Sequence, residues 1–145
     1  MSVSSSRNLK RYNYLIGELE AAYHDASKKF GMSDSTSKIL YAIGNEGGSC
    51  LLSDLCRQTG LSKQTVNSSL RNLEEEGIVY LEAVDGKSKK VFFSDKGREF
   101  ASTTALRIIE IENEIFDEWT DEEITNYLRL TEKFLINLKE KIGKI

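Results

Sequence analysis

Between Ser62 and Asn72 the chain reads Ser-Lys-Gln-Thr-Val-Asn-Ser-Ser-Leu-Arg-Asn. These are side chains that can read the edges of a nucleic-acid duplex. Gln64 and Asn67 can each offer a donor and an acceptor to adenine, Arg71 can take guanine or a phosphate, and Thr65 and Ser68 suit either. Spacing decides whether they can act together. On a helical wheel Val66, Leu70 and Leu73 fall in one narrow stripe that must face a core, with Gln64, Ser68 and Arg71 opposite. Asn67 flanks that outer face on one side, Thr65 and Asn72 on the other. The first turn, begun by Ser62 and Lys63, holds no carboxylate and offers free amides to a phosphate. Glu74, Glu75 and Glu76 crowd the last turn, where they oppose the helix dipole and suit an end pointing away from phosphates.

The neighbouring elements must position this segment. Leu9, Tyr12, Leu15, Ile16, Leu19, Tyr23, Ala26 and Phe30 recur at helical spacing and predict a first helix over 9–30, ended by Gly31. Ser33 or Ser35 caps a second helix carrying Ile39, Leu40 and Ile43, and Gly47-Gly48 breaks the chain. A short helix is expected over 52–59, with Leu52, Leu55 and Cys56 inward and Gly60 as its stop. The polar helix then runs from Ser62 towards Gly77. Beyond Gly77 the period changes from helical to extended, and two apolar runs flank Asp85-Gly86, a strong hairpin signal. This hairpin wing carries Lys87, Lys89 and Lys90 beside the polar helix, where they could straddle a backbone or enter a minor groove. One long helix is expected from Ser94 or Asp95 to about Trp119, and Thr120 with Glu123 forms a capping box for a last helix over 121–141. The expected fold is mainly α with a small β-hairpin wing: a winged helix-turn-helix with long N- and C-terminal helices.

A chain of 145 residues suits a single domain with a real core. Its net charge is -3, but the charge is unevenly spread: residues 57–98 are net +2 and residues 99–145 net -5. No segment approaches the ~20 apolar residues of a membrane span, and the N-terminus lacks the apolar stretch of a signal peptide. Residues 1–8, rich in serine, read as a disordered tail. Two cysteines without a CxxC fit a reduced, cytoplasmic protein.

In combination these features resemble one family. The run Leu-Ser-Asp-Leu-Cys-Arg-Gln-Thr-Gly-Leu-Ser-Lys-Gln-Thr-Val, followed by the leucine pair Leu70 and Leu73 and then Gly77, is similar to the helix-turn-helix of the multiple-antibiotic-resistance regulators, the MarR family. The wing, Asp-Gly-Lys-Ser-Lys-Lys-Val-Phe-Phe-Ser-Asp-Lys-Gly, resembles that family's Asp-x-Arg, hydrophobic strand, Leu-Thr and Gly. The resemblance spans residues 9–141 and implies a dimeric winged-helix repressor or activator that binds palindromic duplex DNA. It implies DNA contacts from Ser62, Lys63, Gln64, Thr65, Asn67, Ser68, Arg71, Asp85 and Lys87; the lysine run adds Lys89 and Lys90. Lys87 stands where the family has arginine, which keeps the charge and loses the planar fork. The implied organisation is a single domain over 9–145, with a DNA-binding lobe at 33–94 and dimerisation helices at 9–30 and 95–142. Interface candidates are Leu9, Tyr12, Ile108, Ile111, Ile115, Trp119, Leu135 and Leu138, each also a candidate for internal core. Relatives often take small aromatic effectors, for which Tyr12, Tyr23, Phe30 and Tyr41 are the candidate cleft.

Other chemistries find less support. Catalysis needs a converged base, nucleophile or metal group, and no spaced set supplies one, so no enzyme, cofactor or metal is expected. His24 is the only histidine and reads as a surface residue. Cys56 reads as a packed thiol; Cys50 lies nearer a loop, and a redox role for it is left open. The competing function is a winged helix used as a protein-interaction module with weak or no DNA binding. The modest charge of the central segment and Lys87 in place of arginine are its support.

Overall fold

In the computed structural model, which describes residues 3–145, hydroxyl caps and glycine breaks cut the chain into elements. Ser6 accepts from the Leu9 amide and starts α1 (Arg7–Lys29); Ser33 does the same for Thr36 at α2 (Asp34–Asn45). β1 (Ser49–Leu51) runs directly into α3 (Leu52–Thr59), whose N-cap Leu51 makes no side-chain bond. Gly60, at φ 68°, ends α3 in the left-handed region that a side chain would resist. Ser62 then caps α4 (Lys63–Glu75). β2 (Val79–Ala83) and β3 (Lys89–Phe93) form the hairpin, and α5 (Asp95–Ser102), α6 (Ala105–Asp117) and α7 (Asp121–Ile142) complete the chain. The Thr120–Glu123 capping box is present with both of its bonds.

Several expectations change. The helix expected from 9 begins at Arg7, because Ser6 is its cap. The tail expected over 1–8 therefore reaches into α1, while residues 1–2 lie outside the described part of the chain. The two-strand wing is part of a three-stranded antiparallel sheet of order β1-β3-β2, with Cys50 opposite Val91 and Leu81 opposite Val91 on the other side. The long helix expected from 95 to about 119 is two helices. Thr103 and Thr104 break it: both hydroxyls donate back to Phe100 O, at 3.2 and 2.9 Å, and compete with the helix ladder.

The chain divides into two compact units, Met1–Arg107 and Ile108–Ile145. In the first unit α2, α3 and α4 pack on the inner face of the sheet. Ile39, Leu40, Ile43, Leu55, Val66 and Val91 are its largest fully buried side chains. Along β3 the pleat sends Val91 and Phe93 into this core and Phe92 to the outer face, where it stacks on Tyr80 with ring centroids 5.2 Å apart. In contrast, α1 buries only Ser27. The second unit is built on the turn between α6 and α7, where Phe116, Trp119 and Tyr127 meet edge to face at 5.2–6.4 Å. No residue of α7 is buried, though it carries Leu128, Phe134, Leu135, Leu138 and Ile142.

The hairpin turn has its own internal tie. Val84 N–H reaches Ser88 O at 2.9 Å, and Asp85 Oδ1 accepts from the amides of Lys87 and Ser88, both at 2.8 Å. These bonds, Lys87 first, hold the Asp85 carboxyl below its ordinary value of 3.8.

Two outcomes are expected. Leu55→Ala lowers stability by about 2–5 kcal/mol in urea unfolding, because a fully buried leucine leaves a cavity. A carboxyl lowered on folding contributes stability that is full above its unfolded value and is lost as pH falls through the folded one. The Lys87 and Ser88 amide resonances should therefore move together below pH 3.8, and Asp85→Ala should abolish that movement and speed their exchange. Unaltered wing amides in the variant would show that the turn is held by other contacts.

Candidate nucleic-acid interface

The buried stripe of α4 is Val66, Leu70 and Leu73, at 0%, 2% and 3% exposure. That burial turns the polar face outward: Lys63, Gln64, Asn67, Ser68, Arg71 and Asn72 are all exposed, and Thr65 is half-buried at the edge. The two hydroxyls at the helix start are engaged with each other. Ser62 Oγ accepts from the Thr65 amide at 3.1 Å and donates to Thr65 Oγ1 at 2.9 Å. Ser62 thus shapes the N-terminus, and the first turn carries no acidic residue. An anion there would meet backbone amides and Lys63 at the positive end of the helix dipole.

The approach to α4 is equally fixed. Thr59 Oγ1 donates to Leu55 O at 2.8 Å and accepts from the Leu61 amide at 3.2 Å, which ties the turn between the two helices to α3. Arg57 on α3 is an exposed cation that the sequence reading passed over; its nearest carboxylate is Asp54, at 3.8 Å. Helical spacing on the short α3 could have singled it out.

The wing lysines do not form one cluster. Lys87 is at the tip, whereas Lys89 and Lys90 are successive residues of β3 and so point to opposite faces of the sheet. Lys90 lies over the Phe92 ring at 5.6 Å on the outer face, across from Glu82. Asp85 bonds the turn's amides, a contact that fixes the backbone carrying Lys87.

The remaining candidates are placed as follows. Cys50, expected near a loop, is buried in β1 at 3% exposure, because its alternate position in the strand faces the core. Desolvation, aided by the charges of Glu46 and Asp54, pushes its thiol up to about 11, against the thiolate a redox sensor needs. Cys56 is half-buried against the same core. His24 Nδ1 lies 2.9 Å from both carboxylate oxygens of Asp34 and bridges α1 to the start of α2. Among the described residues no group of three or more His, Cys, Asp or Glu is placed to hold a metal, and no helix is long and apolar enough to cross a membrane. Of the cleft candidates, Tyr12 and Tyr23 are exposed, and Phe30 and Tyr41 are half-buried. Of the interface candidates, Leu9, Ile111, Ile115, Leu135 and Leu138 are exposed, and Ile108 and Trp119 are half-buried.

Comparison with known proteins bears on this arrangement. A model of the MarR family matches residues 30–89, the segment that holds α2, α3, α4 and most of the hairpin. Curated protein sequences gave no significant match. Among solved structures, a MarR family regulator from Neisseria meningitidis superposes with a TM-score of 0.82 at 15% identity, covering 96% of this chain and 99% of that one. The S. aureus MepR–DNA complex gives 0.65 at 17% identity, covering 93% and 99%. NadR in complex with 4-hydroxyphenylacetate gives 0.69 at 15%, covering 92% and 95%. At such identities these structures establish the fold alone. The chain therefore resembles the MarR family over its winged segment, and it shares the fold of MarR family structures along nearly its whole length.

Proposed function

We propose that the chain is a homodimeric regulator that binds palindromic duplex DNA, with α4 in the major groove and the wing at the minor groove or backbone. The observation that carries this reading is the outer face of α4. Gln64, Asn67, Ser68 and Arg71 stand exposed on a helix whose opposite side is locked into the core. A rigid helix with donors and acceptors at one-turn spacing can present them to successive base edges at low entropic cost. Ser62, Lys63 and Thr65 then serve the phosphate end, and Lys87, Lys89 and Lys90 supply sequence-independent attraction, with Asp85 holding the tip. The DNA-binding lobe in this reading is 33–94.

The dimer follows from apolar surface. α1 and α7 are 23 and 22 residues long and bury one residue between them. Helices that leave their leucines in water lack the packing that supplies most helical stability, and they expose contiguous apolar surface. A second copy would cover Leu9, Tyr12, Ile108, Ile111, Ile115, Trp119, Leu135 and Leu138, and its two-fold symmetry would match a palindrome. The helices concerned are 9–30 and 95–142.

For the first unit we propose a small aromatic effector. Ser37 Oγ is buried with no hydrogen-bond partner, one turn before Tyr41 on α2. With Tyr12, Tyr23 and Phe30 it would offer a phenol or carboxylate a hydroxyl among rings, and the 4-hydroxyphenylacetate bound to NadR has that chemistry. Such a ligand acts only through a difference in affinity between two spacings of the recognition helices. The alternative, a protein-interaction module, draws on the Tyr80–Phe92 stack, an aromatic surface on the outer face of the sheet.

Selection from random duplexes should yield a palindromic consensus whose affinity falls steeply with salt. Against it, Arg71→Ala should lose about 1–3 kcal/mol and relax one base position. Lys89→Ala should weaken all sequences alike and flatten the salt dependence. Salt-insensitive binding, or none, would favour the protein-interaction reading. Leu135→Arg should sediment as a monomer and bind the palindrome more weakly; a dimer that persists would place the interface elsewhere.

A further inference from the structure

The C-terminal end of α4 carries a concentrated negative charge. Glu74, Glu75 and Glu76 stand there, the helix has no basic residue in its last turn, and the dipole adds to the same sign. The helix closes on itself by Gly77 N–H to Glu74 O at 3.0 Å and Ile78 N–H to Leu73 O at 2.9 Å. Glu76 O lies beyond those bonds, and a cation from another element meets it: Lys96 Nζ, on the first turn of α5, donates to it at 2.8 Å. The Lys96 stem passes beside Gly77, its Cδ about where a Gly77 Cβ would make ordinary contact.

The same turn of α5 is joined to the backbone leaving α4 in two further ways. Ser94 Oγ donates to Gly77 O, with Ile78 O also in reach at 3.1 Å, and accepts from the Gly97 amide at 2.9 Å. Ser94 N–H donates to Ile78 O at 3.0 Å. Gly97 is buried, and a Cβ there would lie 1.9 Å from Ile78 O, so the two backbones touch with no room between them. One hydroxyl therefore caps α5 and ties down the chain after α4, while one ammonium offsets the charge at the end of α4.

We infer that Lys96 is a positioning residue for base reading: by bonding the terminal carbonyl of α4 and neutralising its glutamate end, it fixes the last turn of that helix against α5 and so aims Arg71 and Asn72. It touches no DNA in this role. Asn72 lies about one turn and Arg71 about one and a half turns before Glu76, so disorder in the last turn reaches these two before the rest of the reading face, whereas Gln64, near the Ser62 cap, is held from the other end. The inference rests on α4 as the reading element.

Lys96→Met keeps the stem and removes the ammonium; Lys96→Arg keeps the charge. Two measurements test them in the full-length protein. In hydrogen exchange without DNA, Lys96→Met should speed the amides of residues 74–78 while those of the capped first turn stay as in the wild type, and Lys96→Arg should restore them. In binding to the selected palindrome and to a scrambled duplex over a salt series, Lys96→Met should lose about fivefold on the palindrome alone, as expected for one helix-end cation, with the salt slope unchanged. A slope reduced by about 0.9 would make Lys96 a phosphate contact and overturn the inference. So would unaltered exchange, or equal binding of both duplexes by wild type and variant. A wild-type protein that bound no duplex would sink the DNA reading itself, and the positioning role of Lys96 with it.

Discussion

Burial of Val66, Leu70 and Leu73 fixes the rotation of α4 about its own axis, and the outward chemistry of the protein follows from that rotation. Each fully buried aliphatic side chain is worth about 1.5–3 kcal/mol, so three of them outweigh any rotamer preference of the polar residues between them. A turn of the helix by one position would put Asn67 or Arg71 against Leu55 and Val91, at the desolvation cost of an unpaired polar group. The orientation of Gln64, Ser68 and Arg71 is therefore set by residues that touch nothing outside the protein. The same core receives Cys50 and Val91 from the sheet, and so the wing and the helix are held by one packing event.

Electrostatics divides α4 into two unlike ends. Its N-terminus has Ser62, Lys63 and unopposed amides; its C-terminus has three carboxylates and depends on Lys96 from α5 for a counter-charge. In the proposed reading, a polyanion would be drawn to one end and repelled from the other, which would orient the helix before any base is read. A net charge of -3 is compatible with the proposed surface for DNA, because the excess acid lies in residues 99–145, outside the winged segment.

Much of this was legible in the sequence because it is written in local chemistry. Gly60 and Ser62 mark the helix-turn-helix, Asp85-Gly86 the hairpin, and Thr120 with Glu123 the last helix, each through a bond made within four residues. What escaped depends on longer range. β1 is three residues long with no period to read, and it exists only because β3 is there to pair with it; Cys50 was misplaced for the same reason. The break at Thr103–Thr104 has no glycine or proline, only hydroxyls that bond backwards. The lysine run looked like one patch, and the pleat separates its members. Lys96 reads in sequence as an ordinary surface charge, and its partner is 20 positions away.

The placement of Cys50 has a practical sequel. Its sulfur is sealed between β1, β3 and the helices, while Cys56 is half-open to water. A thiol so enclosed is alkylated only during excursions that peel β1 from its neighbour. The chain thus carries two built-in chronometers in one lobe: a fast one that reports solvent access, and a slow one that ticks only when the sheet parts.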